Sequence, residues 1–128
     1  MGIETYFSQI KAIIGKYAVA SFVISANVNL DTRPGDQGFL AGAVTFVDGS
    51  ELHFREYLDV AGKTIEKVMY SYHYQDAASR MILRYDNAAH QPALVSAEHK
   101  HDVSGIQVTQ APRLEDVLAE LVEMKHWA

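Results

Sequence analysis

The 128-residue sequence contains no cysteine. This absence excludes disulfide bonds, thiolate metal sites and cysteine nucleophiles together. Long apolar runs are also missing: the longest, residues 18–24, is interrupted by Ser21 and is far shorter than the roughly 20 residues that span a membrane. The N terminus shows no basic region followed by an apolar core. We therefore expect a soluble, cytoplasmic protein with no membrane partner.

Positive charge is in short supply, because the net charge is −5. This balance argues against a protein that coats nucleic acid through bulk electrostatics. The charges are segregated, however: acidic side chains concentrate in residues 115–123, while basic side chains cluster with histidines in residues 72–101. A local basic site is therefore compatible with the acidic average. The length and the 48% of hydrophobic residues predict one domain, over residues 1–128, around one core.

The hydrophobic pattern predicts an α+β fold. Helical spacing of isoleucines indicates a helix over Tyr6–Tyr17 that ends around Gly15, and a second amphipathic helix begins after Pro112. Period-two alternation predicts strands at residues 19–29, 39–47, 51–60, 66–75 and 80–86, with a loop at 31–38 and a tight turn at Asp48-Gly49. The expected architecture is a curved antiparallel meander of about five or six strands, with an N-terminal and a C-terminal helix packed on it.

Residues 72–101 carry an unusual density of proton-transfer and phosphate-binding groups, including four of the six histidines. In an extended segment His99 and His101 project on the same side, so both could meet one metal ion or one phosphate. With His90 as a third ligand they would form a zinc site with an open position. Without a metal they could act as acid and base. A polar loop without function is the third interpretation.

Other residues of the predicted sheet also have two interpretations. Arg84 and Asp86 could pair with each other or present a site at a strand end. The tyrosines at positions 70, 72 and 74 could stack on nucleobases, as in other sheets that bind RNA, or belong to the core. Glu56 shares a face with apolar residues, so we expect either a buried ion pair with an arginine or a base with a raised pKa. No Walker loop, GxGxxG, Gly-x-Ser-x-Gly or His-Glu-x-x-His motif is present, and we expect no cofactor.

The succession "YSYHYQD", "RYDNAAH", "HKH" and the acidic helix "LEDVLAELVE" resembles the TumE-like toxin family of prokaryotic toxin–antitoxin modules. The family pattern has a tyrosine-histidine strand, an Arg-Tyr-Asp-Asn-Ala-Pro-His-His motif and a His-His-Lys-His motif. The likeness covers roughly Glu56–Val122. The chain departs from the pattern by one histidine in each motif, since it has Ala89-His90-Gln91 in the first and Glu98 before His99 in the second.

The resemblance implies a small toxin that a neighbouring antitoxin protein neutralises, and a homodimer is compatible with the sequence. If the toxin is an enzyme, we expect a ribonuclease that cleaves phosphodiesters without a metal. Its predicted catalytic residues are Arg84, Tyr85, Asp86, His90, His99, Lys100 and His101. Its predicted substrate-binding residues are Arg55, Tyr72, His73, Tyr74 and Asn87.

On this hypothesis His90 or His101 takes the 2′-hydroxyl proton, and the other imidazole or Tyr85 protonates the leaving 5′-oxygen. Arg84 and Lys100 stabilise the charge that develops on phosphorus. Two alternatives stay open. One is a non-catalytic interaction module or degenerate toxin homologue, which the lost histidines favour. The other is a hydrolase whose metal is bound by His90, His99 and His101.

Overall fold

The computed structural model describes residues 2–88 and 98–127. The elements, in chain order, are α1 (Ile3–Ala18), β1 (Val23–Arg33), β2 (Gln37–Phe46), β3 (Glu51–Ala61), β4 (Thr64–Gln75), β5 (Met81–Asp86), β6 (His99–Asp102), β7 (Gly105–Val108) and α2 (Leu114–Lys125). The strands form one antiparallel sheet in which each strand pairs with the next along the chain. The predicted α+β meander with a helix at each end is confirmed.

The sheet has seven strands, against the five or six expected. The additional strands β6 and β7 have four residues each, and all residues of β7 are exposed. Segments this short do not carry enough residues for periodicity to reveal them: β6 is His-Lys-His-Asp, and β7 has only the pair Ile106 and Val108. Pairing with β5 orders β6, and a turn at 103–104 returns the chain as β7, where Gly105 adopts a φ of 115°.

The first hairpin is longer than predicted. Strand β1 continues to Arg33, and the expected loop at 31–38 shrinks to a turn over residues 34–36. Gly35 and Asp36 both have positive φ, a geometry that suits a tight antiparallel connection. Helix α1 passes Gly15 without a break and ends at Ala18. The Asp48-Gly49 turn is confirmed: Gly49 has φ 83°, and Asp48 accepts a 3.0 Å hydrogen bond from the backbone of Ser50.

Both helices cover the same face of the sheet. The apolar residues of α1 and α2 pack on side chains of β1–β5 in one core cluster, whose helical members are Ile3, Phe7, Ile10, Ile14, Leu114, Val117, Leu118 and Leu121. Among the described residues, neither helix combines the length and the apolar character that crossing a membrane requires. The opposite face, on which neither helix packs and which we call the uncovered face, carries polar and charged residues together with Phe39, Tyr57 and Met69. It presents the candidate site.

Glu56 is fully buried on the covered face and is paired, but with a lysine instead of the expected arginine. Its carboxylate accepts hydrogen bonds from Tyr6 and, at 2.5 Å, from Tyr72, and Nζ of Lys67 lies 3.7 Å away. Lys67 also donates to the carbonyl of Pro112 at 2.6 Å. Burial raises the pKa values of Tyr6 and Tyr72, and the adjacent Glu56 carboxylate raises them further. The cluster joins α1, the sheet and the segment before α2 through buried polar contacts.

Candidate active site on the uncovered sheet face

The strand register places four basic or titratable side chains in one row across the uncovered face. His53 on β3 is opposite His73 on β4, His73 is opposite Arg84 on β5, and Arg84 is opposite His101 on β6. Residues opposite each other in an antiparallel pair project on the same side of the sheet. Arg84 is therefore flanked by a histidine on each neighbouring strand.

Arg84 is held by two contacts that fix its orientation. Its Nε donates to Oδ2 of Asp86 at 2.5 Å, and its Nη1 lies 3.2 Å from Nδ1 of His73. A guanidinium only donates hydrogen bonds, so Nδ1 of His73 is the acceptor and the proton of the neutral imidazole resides on Nε2. The two residues predicted to pair, Arg84 and Asp86, do so, and the pair extends to a histidine.

His73 has a pKa below its ordinary value of 6.5. Burial is the largest cause, because it disfavours the charged imidazolium, and the Arg84 cation is the next. A hydrogen bond with the side chain of Gln75 acts in the opposite direction. The uncharged imidazole, the form that can accept a proton, therefore predominates at neutral pH.

Asp86 lies in the row next to that of Arg84, opposite His99 on β6. Its Oδ1 lies 2.6 Å from Nε2 of His99, which is fully buried, and it accepts a 3.2 Å hydrogen bond from the backbone of Ala88. Although burial alone would raise the pKa of Asp86, the hydrogen bonds from Arg84 and Ala88 hold it below its usual value. The rings of His99 and His101 meet edge to face, with centroids 4.7 Å apart. Asp86 thus connects Arg84 to the two histidines of β6.

Asp86, His99 and His101 are also the residues that could hold a metal ion. One ligand atom from each lies within 4.8 Å of the others. Two imidazoles and a carboxylate suit a first-row divalent metal. The sequence predicted His90 as the third ligand, but that residue lies outside the described residues, and within them Asp86 occupies the third position.

Two neighbouring cavities follow the uncovered face. The larger, of about 420 Å³, is lined by His53, His73 and Arg84 among others. The smaller, of about 180 Å³, extends along the strands towards Met69 and Asn87. Arg55, Ser71 and Arg84 line both cavities. They therefore form one groove, and Arg55, predicted to bind substrate, lies in it.

Lys100 and Tyr85 project on the opposite side from Arg84. Lys100 is opposite Tyr85 in the β5–β6 pair, and both donate 2.8 Å hydrogen bonds to Glu120 of α2. Burial and the Glu120 carboxylate raise the pKa of Tyr85. The prediction that Lys100 and Tyr85 join Arg84 in catalysis therefore requires correction: alternation along β5 and β6 directs them to the helix.

Tyr72 and Tyr74 likewise cannot bind substrate on this face. Both are fully buried on the helix side, where Tyr74 donates a 2.7 Å hydrogen bond to Ser50. This corrects their predicted stacking role and places them in the core. Asn87 is occupied by strand β4: its Oδ1 accepts from the backbone of Tyr70 at 3.1 Å, and its Nδ2 donates to the carbonyl of Val68 at 2.9 Å. These contacts extend the pairing of β4 with β5; Asn87 also lines the smaller cavity, so its contact with substrate stays a prediction.

The groove residues that were not predicted as site residues include His53 and Tyr57. They alternate with Arg55 along β3, so all three face the groove. The signal was present in the sequence as an i, i+2, i+4 pattern of polar and aromatic residues. It indicates a site only once the register is known to place His53 opposite His73.

A comparison with known protein families identifies the family to which the chain belongs. A family model described as Toxin TumE matches residues 11–126. The chain belongs to the TumE toxin family. The match exceeds the Glu56–Val122 region that carried the resemblance, and it includes every strand of the sheet. We found no match among curated proteins or solved structures. Membership of a toxin family indicates that this chain is the toxin component of a pair and implies an antitoxin as its partner.

Proposed function

We propose that this TumE toxin cleaves RNA by metal-independent acid–base catalysis on the uncovered sheet face. The observation that carries the proposal is the register of Arg84 between His73 and His101. Strands β4 and β6 are separated by two strand spacings, or about 10 Å. A phosphate bound by Arg84 would therefore have an imidazole on either side, as in-line displacement at phosphorus requires.

The proposed reaction is an internal transfer of the phosphodiester. The 2′-hydroxyl attacks the adjacent phosphorus and loses its proton to a base, while the bond from phosphorus to the 5′-oxygen breaks. The leaving 5′-oxygen takes a proton from an acid. The products are a 2′,3′-cyclic phosphate and a 5′-hydroxyl, so one proton is taken and one is given. No water, metal or cofactor enters the step.

His73 is the base in this scheme. Its uncharged form predominates at neutral pH, and its Nδ1 faces Arg84. When Arg84 turns its guanidinium to a phosphate, it releases Nδ1 at the position where the 2′-hydroxyl would lie. Binding of the substrate would thus expose the atom that accepts the proton.

His101 is the acid on the other side of Arg84. It lies opposite Arg84 on β6, and the ring of His99 packs against its ring. Asp86 and His99 act as positioning residues, because their contacts orient Arg84 and His101. Arg55, which lines the same groove, takes over the electrostatic role first assigned to Lys100.

A second candidate function is metal-assisted hydrolysis. It is favoured by the approach of Asp86, His99 and His101 to within 4.8 Å. A metal would have to enter where Oδ1 of Asp86 and Nε2 of His99 now lie 2.6 Å apart, while Oδ2 accepts the 2.5 Å hydrogen bond from Arg84. Elemental analysis of the purified protein distinguishes the two functions. Metal near one equivalent that is lost in His99→Ala and His101→Ala would favour hydrolysis through the metal.

Growth arrest upon induced expression tests the proposal in cells. We expect the unaltered chain to arrest growth and Arg84→Gln or His101→Ala to abolish the arrest. Arg80→Gln is the matched control, because Arg80 also pairs through Nε with an aspartate, Asp76 at 3.0 Å, but is exposed in the turn before β5. Arrest by Arg84→Gln or His101→Ala, folded and expressed as the unaltered chain, would overturn the proposal. Absence of arrest by every chain would favour a non-catalytic or degenerate toxin.

A further inference from the structure

We propose that Tyr57, with Phe39 beside it, forms a stacking platform for a nucleobase of single-stranded RNA. This inference rests on the proposed cleavage of RNA and adds the part of the groove that holds the substrate. It also relocates the stacking role from the buried tyrosines of β4 to the uncovered face.

Tyr57 lies on the uncovered face two rows away from His53, with Arg55 in the row between them. The register places it between Phe39 on β2 and Met69 on β4. Tyr57 is 40% exposed and Met69 is 57% exposed. Large apolar side chains exposed together beside a polar groove are typical of binding sites. The row thus offers an accessible apolar surface next to the site of Arg84.

The rings of Phe39 and Tyr57 contact each other and can bind a ligand that has a π face. The ring centroids of Phe39 and Tyr57 are 4.5 Å apart, with the planes tilted by 43°. The Arg33 guanidinium lies 5.5 Å from the Phe39 centroid and 6.0 Å from that of Tyr57. A cation at the ring pair can contact a phosphate while the rings contact a base. This combination of charge and aromatic surface suits a nucleotide better than an apolar ligand.

A β-bulge occurs beside the platform. The pairing of β3 with β4 shifts after Tyr57, so Val68 is an extra residue on β4. The Asn87 side chain holds this irregular segment through the carbonyl of Val68 and the backbone of Tyr70. Bulges redirect neighbouring side chains and are frequent next to active sites. Asn87 is therefore a positioning residue for the Tyr57–Met69 row.

The platform and the proposed catalytic row belong to one groove. The 180 Å³ cavity is lined by Tyr57 and Met69 at one end and by Arg84 and Asp86 at the other, with Arg55 between them. Met69 is four residues from His73 on the same strand, a separation of about 13 Å. A nucleotide or two would cover this separation, so a base at Tyr57 is compatible with a phosphate at Arg84.

The required substrate is single-stranded, because both faces of a base inside a duplex are stacked on its neighbours and only an unstacked base offers a face to Tyr57. Stacking is tolerant of sequence, since every base has a π face. We therefore expect weak base preference at the platform.

Binding of a short RNA whose 2′-hydroxyls are methylated tests the inference with the unaltered protein, because such RNA cannot undergo the proposed reaction. The strand carries one 2-aminopurine, whose fluorescence is quenched by stacking. We expect Tyr57→Leu to weaken binding about tenfold and to abolish the quenching, within the range known for the loss of one stacked base. Tyr57→Phe keeps the ring and should retain both properties.

Tyr17→Leu is the matched control, because Tyr17 is also a partly buried tyrosine with an aromatic neighbour, Phe22 at 6.3 Å, but lies on α1. Equal binding and quenching by Tyr57→Leu and the unaltered chain would overturn the platform while leaving RNA cleavage intact. An unaltered chain that neither binds the methylated strand nor cleaves ordinary RNA would overturn both proposals. Loss of binding in Tyr17→Leu as well as in Tyr57→Leu would assign the effect to stability and overturn the platform.

Discussion

Nη1 of Arg84 lies 3.2 Å from Nδ1 of His73, the residue directly opposite it on the neighbouring strand. The cation stabilises the uncharged imidazole, and the imidazole in turn holds the guanidinium over the groove. Arg84 therefore influences the protonation of His73, and His73 influences the orientation of Arg84. In the proposed mechanism this contact is exchanged for a phosphate when RNA binds.

Removal of Arg84 should raise the pKa of His73. Burial and the Arg84 cation both lower this pKa from 6.5, so Arg84→Gln removes the second of these causes. We expect the NMR titration midpoint of His73 to move upwards in this variant and to stay unchanged in Arg80→Gln. An unchanged or lower midpoint in Arg84→Gln would show that the guanidinium does not contact His73 in solution.

The same shift predicts the pH dependence of cleavage. A base must be unprotonated, so activity is lost as the pH falls through the pKa of His73. Because that pKa is lowered, the acidic limb of kcat/KM should have its midpoint below 6.5. A midpoint above 6.5 would argue against His73 as the base.

Glu56→Gln should lower the free energy of unfolding by about 2–4 kcal/mol, as expected when a buried charge loses its partner. The change leaves Lys67, whose side chain is 14% exposed, without the carboxylate at 3.7 Å. Urea denaturation measures the effect. The double variant Glu56→Gln with Lys67→Met should recover part of the loss, because it removes both charges. A loss below about 0.5 kcal/mol in the single variant would contradict the importance of the pair.

Two glycine-to-alanine changes should have opposite effects on stability. A Cβ at Gly42 would lie 2.3 Å from the carbonyl oxygen of Asn27, which is backbone, and 2.5 Å from the ring of Phe54. We expect Gly42→Ala to destabilise the protein by about 2 kcal/mol or more. A Cβ at Gly15, in α1, meets no atom within 4 Å, so Gly15→Ala should stabilise it by roughly 0.5–1 kcal/mol. Thermal unfolding of both variants checks this pair, and equal melting temperatures would contradict it.

Asn87→Ala should lower the free energy of unfolding by about 1–2 kcal/mol, because two backbone groups of β4 lose their hydrogen-bond partner. Asn87→Asp should cost more, since it places a carboxylate oxygen against the carbonyl of Val68 in place of a donor. Asn29→Ala on β1, at an exposed position, is the control and should change stability little. Chemical denaturation of the three variants gives the order, and equal stability of Asn87→Asp and the unaltered chain would refute the contact.

The sequence could predict the long elements because their periodicity is strong. Strands β2–β5 alternate over six or more residues, and the Asp48-Gly49 pair specifies a tight turn. Strands β6 and β7 could not be found in this way, since each has only four residues and is ordered by pairing, β6 with β5 and β7 with β6. Their existence is nevertheless what brings His99 and His101 beside Arg84.

The candidate site was predicted in composition more accurately than in geometry. Arg84, Asp86, His99 and His101 are brought together as residues of paired strand positions. Neighbours in sequence, however, alternate between the two faces, so Lys100 and Tyr85 contact Glu120 instead. His53 and Tyr57 could be assigned to the groove only from the register between strands, and the sequence of a single strand does not specify that register.

The most direct test of the central claim is the analysis of RNA ends after incubation with purified, metal-depleted protein. We predict strands that end in 2′,3′-cyclic phosphates and begin with 5′-hydroxyls, with cleavage reduced at least a hundredfold in His73→Ala, Arg84→Gln and His101→Ala. Arg80→Gln should cleave as the unaltered chain does. Intact RNA, or cleavage that is unchanged in His73→Ala and His101→Ala, would contradict the account.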